Sequence, residues 1–368
     1  MNKTAVLDLF FGILLVTAGV GLLLGLYTGL IRLGLSMPTA FELGAIAHGP
    51  LMINGFLATL ISLERGAALE KLWSYIAPFS FFLATILLLT GSVYPGGFFL
   101  LLGSLFLLII MGYLCYLQSV VHHYIMATGA AVLFIGNILY ILHYPVYELI
   151  GWWIAFPLLT IFGERLELNR IMRPPKKAQH LFAGLIAAWI LTLIIIHFNR
   201  DSAWLFNSII LIGISGWLIR YDVARRTIKS IEWTRYSAWC LLTGYGWLII
   251  AGILGIFYGL PAAGFIYDAL LHVFFVGFVF SMIFAHASVI IPSLTGKLVP
   301  WSRYFYLPFF LLHGFLLIRI LGDLLFQYSI RSIGSYGNVA AILLFLGGII
   351  FQLTRESVRE LNKRKNVL

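Results

Sequence analysis

The chain has 368 residues, of which 61% are hydrophobic and 10% charged. A soluble domain carries about 25% charged residues, so the composition excludes an ordinary globular domain and marks a polytopic membrane protein. The formal net charge of +10 is what basic loops on one membrane face produce and does not point to a nucleic-acid partner.

The N-terminus reads MNK and runs into apolar sequence from Ala5 to Leu35. That run is too long for a signal-peptide core and is read as a retained first span. A span needs about 20 mostly apolar residues. Breaks at Pro38, Tyr94-Pro95-Gly96-Gly97, His143-Tyr144-Pro145 and Pro174-Pro175 punctuate the chain. The resulting twelve spans are 5–34, 40–63, 72–94, 96–118, 120–143, 145–165, 179–198, 202–221, 235–259, 264–292, 303–328 and 336–354. The expected fold is an all-α polytopic membrane protein with one transmembrane domain, 1–354, and a basic tail, 355–368.

Basic residues gather on one side: Lys3, Arg65, Lys71, the 165–177 and 220–235 loops, Lys297, Arg303 and the tail. The positive-inside rule then puts both termini in the cytoplasm and the protein in the inner (plasma) membrane. The tail reads as a topology signal that touches anionic lipid. Cys115 and Cys240 lie inside apolar runs, so neither a disulfide framework nor a thiolate metal site is indicated. The second span ends LISLERGAAL and the sixth TIFGERLELN. With the tenth span, they suggest a threefold repeat of four-helix units.

Ionisable side chains within spans are costly and therefore mark candidate sites. His48 and His272 each lie roughly 12 Å below the outer edge of an outside-to-inside span. They are expected to face each other and supply the two axial imidazoles of one haem iron. A small-residue stripe, Gly44, Ala45, Gly55 and Thr59, accompanies His48 at the α period and would leave room for a flat macrocycle; close helix packing is its other reading. Met52 is an alternative ligand or a packing residue. Asp268, one turn before His272, is placed to orient that imidazole. Arg32, at the outer end of the first span, is a candidate partner for haem propionates. His286 shares the α-helical face of His272 but lies roughly 21 Å deeper, too far to share its iron. With His122, His123, His313 and Glu64 or Glu164 it could bind a second metal, copper or iron, or relay protons. Arg319 and Asp323, one turn apart, read as an ion pair within one helix.

The segments AHGPLMINGF and LLHVFFVGFVFSMIFAH resemble the second and tenth helices of haem-copper oxidase subunit I. They resemble still more closely the NnrS family of twelve-span, haem-binding proteins tied to the nitric oxide response. The resemblance covers two motifs of about 25 residues each and the overall topology. It implies haem b with His48 and His272 as its ligands. Oxidases carry a second histidine where this chain has Leu270, and a copper-ligand pair where it has only His197. HYPVYELIGW, with His143 and Tyr147, is similar to their copper-ligand segment but differently spaced. The oxygen-reducing centre is therefore not implied, and NnrS proteins usually show a richer histidine motif around the position of His48.

Two functional readings follow. One is a haem-b protein for electron transfer or for nitric oxide or dioxygen chemistry, with the bilayer, an electron-donor protein or a small diatomic gas as partners. The alternative is a proton-coupled transporter or channel that uses intramembrane histidines. Transporters usually carry broken helices near mid-membrane, and Pro50 and Pro157 are the candidates here. The residues fit an enzyme, a sensor and an electron carrier alike.

Overall fold

A computed structural model of the chain describes residues 3–36, 44–169 and 172–365. Among these residues, twelve helices are long and apolar enough to cross a membrane, and no strand occurs. The protein is an all-α, multi-pass membrane protein. The first six spans are Leu14–Arg32, Gly44–Leu69, Leu72–Leu89, Val93–Leu117, Val121–Ile141 and Val146–Leu168. The remaining six are Lys176–Ile195, Arg200–Tyr221, Glu232–Tyr258, Phe265–Thr295, Arg303–Leu324 and Tyr328–Glu356. Helices dominate because a lipid-facing backbone must satisfy its own N–H and C=O groups. Pro38 and positions 40–43, read as a loop break and the start of the second span, lie outside the described residues, as do the last three residues of the tail. A clear departure from the sequence reading is at the last span. It begins at Tyr328 instead of about residue 336, which brings Arg331 into the helix.

Contacts gather the chain into two compact units: Met1–Glu167 with Ser293–Thr295, and Leu168–Pro292 with Gly296–Leu368. Each unit contains six spans, a division that does not follow the four-span period read from the sequence. That period does show in burial. The second, sixth and tenth spans are the three most buried, at 67%, 72% and 61%, and they are spaced four spans apart.

In the first unit the first and second spans meet along a ladder of glycines. A Cβ on Gly21 would run into the carbonyl of Gly55. One on Gly25 would lie 2.5 Å from Met52 Sδ, and one on Gly29 would lie 2.8 Å from His48 Nδ1. The four-residue spacing of these glycines puts them on one helix face, so the backbones approach closely. A polar chain ties the second span to the fourth, fifth and sixth. Trp153 Nε1 donates to Asn137 Oδ1 (3.1 Å), and Asn137 Nδ2 donates to Asn54 Oδ1 (3.0 Å) and to the Leu100 carbonyl (3.3 Å). An indole N–H can only donate, so Trp153 fixes the orientation of both amides in turn.

The second unit uses the same devices. Gly322 packs against the backbone of Arg331, Gly334 against that of Arg319, and Gly337 against the Phe315 ring. The eleventh and twelfth spans are thereby clamped into a tight hairpin. Its turn closes with Gln327 N donating to Gly322 O at 2.7 Å, through Phe326 at φ 55°. Tyr245 and Ser215 join the eighth and ninth spans, with Ser215 Oγ donating to the Tyr245 carbonyl at 2.6 Å.

Two spans depart from α geometry in the same way. In the second, Leu51–Ala58 is π-helical, and in the tenth, Val273–Val279 is. The stretches begin three residues after His48 and one residue after His272. A π turn inserts an extra residue, which rotates everything beyond it by roughly 100° relative to a continuous α-helix. The common face read for His272 and His286 from an unbroken α period therefore does not apply, nor does the stripe from Gly44 to Thr59. Gly55 packs instead against Gly21 and Thr85.

The glycine ladder makes a prediction. Gly21→Ala should destabilise the protein by about 1–3 kcal/mol through overpacking. Gly19→Ala, whose Cβ would meet nothing within 4 Å, should be neutral or slightly stabilising. Thermal unfolding of the two purified variants in detergent compares them directly, and equal midpoints would refute the close approach.

Candidate functional site

His48 opens a short helical turn, His48–Pro50, directly before the π stretch. Beside it lies an apolar cluster of Ala47, Leu51 and Leu89, with Leu24 packed on it. His48 Nδ1 lies 2.8 Å from the carbonyl of Gly25 on the first span. A carbonyl only accepts, so Nδ1 carries the proton and Nε2 the lone pair. The imidazole is thus oriented by a different helix, and the missing side chain of Gly29 makes room for its ring. Arg32 ends the first helix and is exposed. Met52 packs on Gly25, the packing role weighed for it.

His272, in the second unit, lies within a charged cluster built from three spans. Its Nδ1 lies 2.8 Å from the Asp268 carbonyl and 3.3 Å from Asp268 Oδ1. Arg319 of the eleventh span clamps the Asp268 carboxylate through both its oxygens, Nε to Oδ2 at 2.8 Å and Nη2 to Oδ1 at 2.9 Å. The same Nη2 lies 3.1 Å from His272 Nε2. A guanidinium can only donate, so Nε2 accepts and the proton sits on Nδ1. His48 and His272 therefore share one tautomer, with Nδ1–H held by a backbone carbonyl and the lone pair on Nε2. Ligating histidines are usually held this way.

The sequence reading paired Arg319 with Asp323, and the structure corrects it. A forked, two-oxygen contact to Asp268 plus an imidazole acceptor outcompetes a single carboxylate one turn away. Asp323 is fully buried, and its nearest cation is Arg331, with Nε 3.9 Å from Oδ1, beyond hydrogen-bond reach. Arg331 lies over the Phe265 and Tyr328 rings, 4.5 Å and 5.2 Å from their centroids. The tight hairpin at Gly322 and Gly334 holds these groups in register. Arg319 and Arg331 were both missed as neighbours of His272. The signal available for Arg319 was the rarity of an arginine inside an apolar span.

Among the described residues, no three His, Cys, Asp or Glu side chains come together in a group able to hold a metal ion. His286 Nδ1 bonds the Met282 carbonyl at 2.6 Å. His122 and His123 pack ring to ring at 4.5 Å, with His122 Nε2 3.8 Å from Glu167 Oε2 and His123 Nδ1 3.0 Å from the Gln118 carbonyl. His313 Nδ1 accepts from Trp247 Nε1 at 2.9 Å. That contact leaves the proton on Nε2, which is buried without a hydrogen-bond partner, the wrong form for a metal ligand. The Glu-Arg pairs hold helix ends together: Arg65 bonds Glu164 across the second and sixth spans and lies 3.7 Å from Glu64.

Breaking one side of the Asp268–Arg319 pair should cost more than removing both charges. Asp268→Asn or Arg319→Gln alone should lose about 3 kcal/mol by stranding a charge, and the double variant should lose clearly less. A double-mutant cycle of unfolding free energies measures this, and additive losses would contradict the pairing.

No curated protein and no solved structure matches the chain. Residues 12–354 match the profile of the family described as Domain of unknown function (DUF8744), and because that match covers nearly the whole chain, the protein belongs to this family.

Proposed function

We propose that this protein is a haem-b-binding integral membrane protein in which His48 and His272 would hold the haem. It would act in electron transfer or in redox chemistry of nitric oxide or dioxygen. The observation that carries the reading is shared by the two histidines. Each has its Nδ1 on a backbone carbonyl, and each is followed by a π-helical stretch of the kind that recurs at functional sites.

The residues present fit such a group. A bound haem supplies a one-electron redox couple at its iron. His48 offers an oriented Nε2 lone pair, set by Gly25 and by the space above Gly29. His272 offers the same lone pair with Arg319 as its present hydrogen-bond donor. When Arg319 yields that one contact it keeps both bonds to Asp268, so its charge stays paired. Asp268 holds the ring through its carbonyl throughout. The basic helix ends support, by the positive-inside rule, cytoplasmic termini and a plasma-membrane location. An electron-donor protein or a small diatomic gas would be the partner, with copper or iron near His286 as the second-metal form of the reading.

One observation favours a second reading, a proton-coupled transporter or channel. Asp268, His272, Arg319, Asp323 and Arg331 cluster inside spans, where ionisable groups mark ion and proton paths.

An optical spectrum separates the two. Protein purified from haem-replete cells should show sharp six-coordinate haem-b bands on reduction, and His48→Ala or His272→Ala should each abolish them. A colourless preparation would rule out the haem reading and leave the transporter, tested by proton uptake into proteoliposomes. Carbon monoxide or nitric oxide then reports on gas chemistry, because only a five-coordinate or exchangeable iron changes its bands.

A further inference from the structure

The two units carry different charge at the ends of their helices that, by alternation of the spans, share one side. In the first unit the residues there are balanced: Glu64, Glu70, Glu164 and Glu167 stand against Arg65, Lys71 and Arg165. In the second unit Lys176, Lys177, Arg220, Arg225, Arg226 and Lys229 are all exposed. So are Arg235, Lys297 and Arg303. Among the described side chains of that end, Glu232 and Glu356 are the only carboxylates with solvent access, because Asp222 is fully buried. A topology signal alone needs no such concentration in one unit.

The basic loop is also held in a fixed shape. Asp222 Oδ1 accepts the Ala224 N–H at 2.8 Å and Oδ2 accepts the Tyr245 hydroxyl at 3.0 Å. Val223 N donates to Asn169 Oδ1 at 3.3 Å. These bonds tuck Ala224 inward and leave Arg225, Arg226 and Lys229 exposed. Neighbouring segments are stitched to it: Trp217 Nε1 donates to the Ala178 carbonyl (2.8 Å), and Trp233 Nε1 to the Val299 carbonyl (2.8 Å). Among the cations stand two apolar side chains, Ile231 at 69% exposure and Leu298 at 77%. Trp233 and Trp301 meet edge to face at 5.2 Å beside them.

We propose that this rim of the second unit is a docking surface for anionic phospholipid headgroups. Fixed cations suit the phosphodiester, and tryptophans suit the headgroup level of a membrane. Ile231 and Leu298 suit the adjoining acyl boundary. An acidic soluble protein would meet the same charges but would gain nothing from two protruding apolar side chains that the bilayer covers.

The test uses the full chain in detergent micelles containing phosphatidylglycerol and phosphatidylcholine at equal mole fraction, with retained lipid counted by mass spectrometry after gel filtration. Wild type should retain phosphatidylglycerol in several-fold excess, and salt should reduce that excess. Arg225→Gln/Arg226→Gln, both exposed and so tolerated by the fold, should bring the excess close to parity, since each such cation is worth roughly 1 kcal/mol. Lys71→Gln, on the balanced first unit, should leave it unchanged. Equal retention of the two lipids by wild type would overturn the proposal, as would undiminished enrichment in the double variant. Displacement of bound phosphatidylglycerol by soluble polyglutamate would overturn it in favour of an acidic protein partner.

Discussion

A charge inside a bilayer has no water to fall back on, so each one must bring its partner with it. In the second unit that constraint is met by the fork of Arg319 on Asp268, and much else follows from the fork. It requires the tenth and eleventh spans to lie side by side at a fixed register. The eleventh span in turn is fixed against the twelfth by glycines at 322, 334 and 337, where no side chain would fit. The small residues are thus the condition for the charged ones. A bulkier hairpin would move Arg319 off Asp268 and leave two ions in a medium where each costs several kcal/mol.

The first unit solves a milder version of the same problem. Beside its Arg65–Glu164 pair it buries neutral amides, joined in series from Trp153 to Asn137 to Asn54. Asn54 lies inside the π-helical stretch. There the loosened helix also lets its carbonyl accept both the N–H and the hydroxyl of Thr59. A π stretch costs regular hydrogen bonding, so it persists where tertiary contacts repay it. On the second span the repayment is visible in the glycine ladder with the first span and in the amide chain. On the tenth, Trp247 seats against Gly277, inside the π stretch, and donates its indole N–H to His313 Nδ1.

The sequence was most legible where a single physical variable dominates. Hydropathy over about 20 residues is such a variable, and it located the twelve spans within a few residues at most ends. It misjudged the last span because YSIRSIGS, residues 328–335, is too polar to look membrane-embedded, yet it is helical and packs on the preceding span. The contact between Asp268 and His272 was legible because four residues of helix fix that distance. Arg319 was not, since its true partner lies on another helix while Asp323 offers a decoy one turn away. The π stretches left no compositional trace, because α and π turns draw on the same residues. Every face assignment that crossed residue 51 or 273 inherited that error. The ladder of Gly21, Gly25 and Gly29 could have been found from its four-residue spacing alone.

In the cluster around His272 one carboxylate-bearing residue serves both neighbours. Asp268 orients the imidazole through its backbone carbonyl and neutralises Arg319 through its side chain. Arg319 closes the triangle on Nε2. Any event that claims the Nε2 lone pair, whether a proton or a metal, removes one hydrogen bond from Arg319 without stripping its charge of a partner. Any event that draws Arg319 away exposes that lone pair while the ring stays aimed. Asp323 and Arg331 stand close by with unused hydrogen-bonding capacity, so the cluster can redistribute contacts without a charge going unpaired. A purely structural pair needs no such reserve, since its stability would be greatest with every donor and acceptor already engaged.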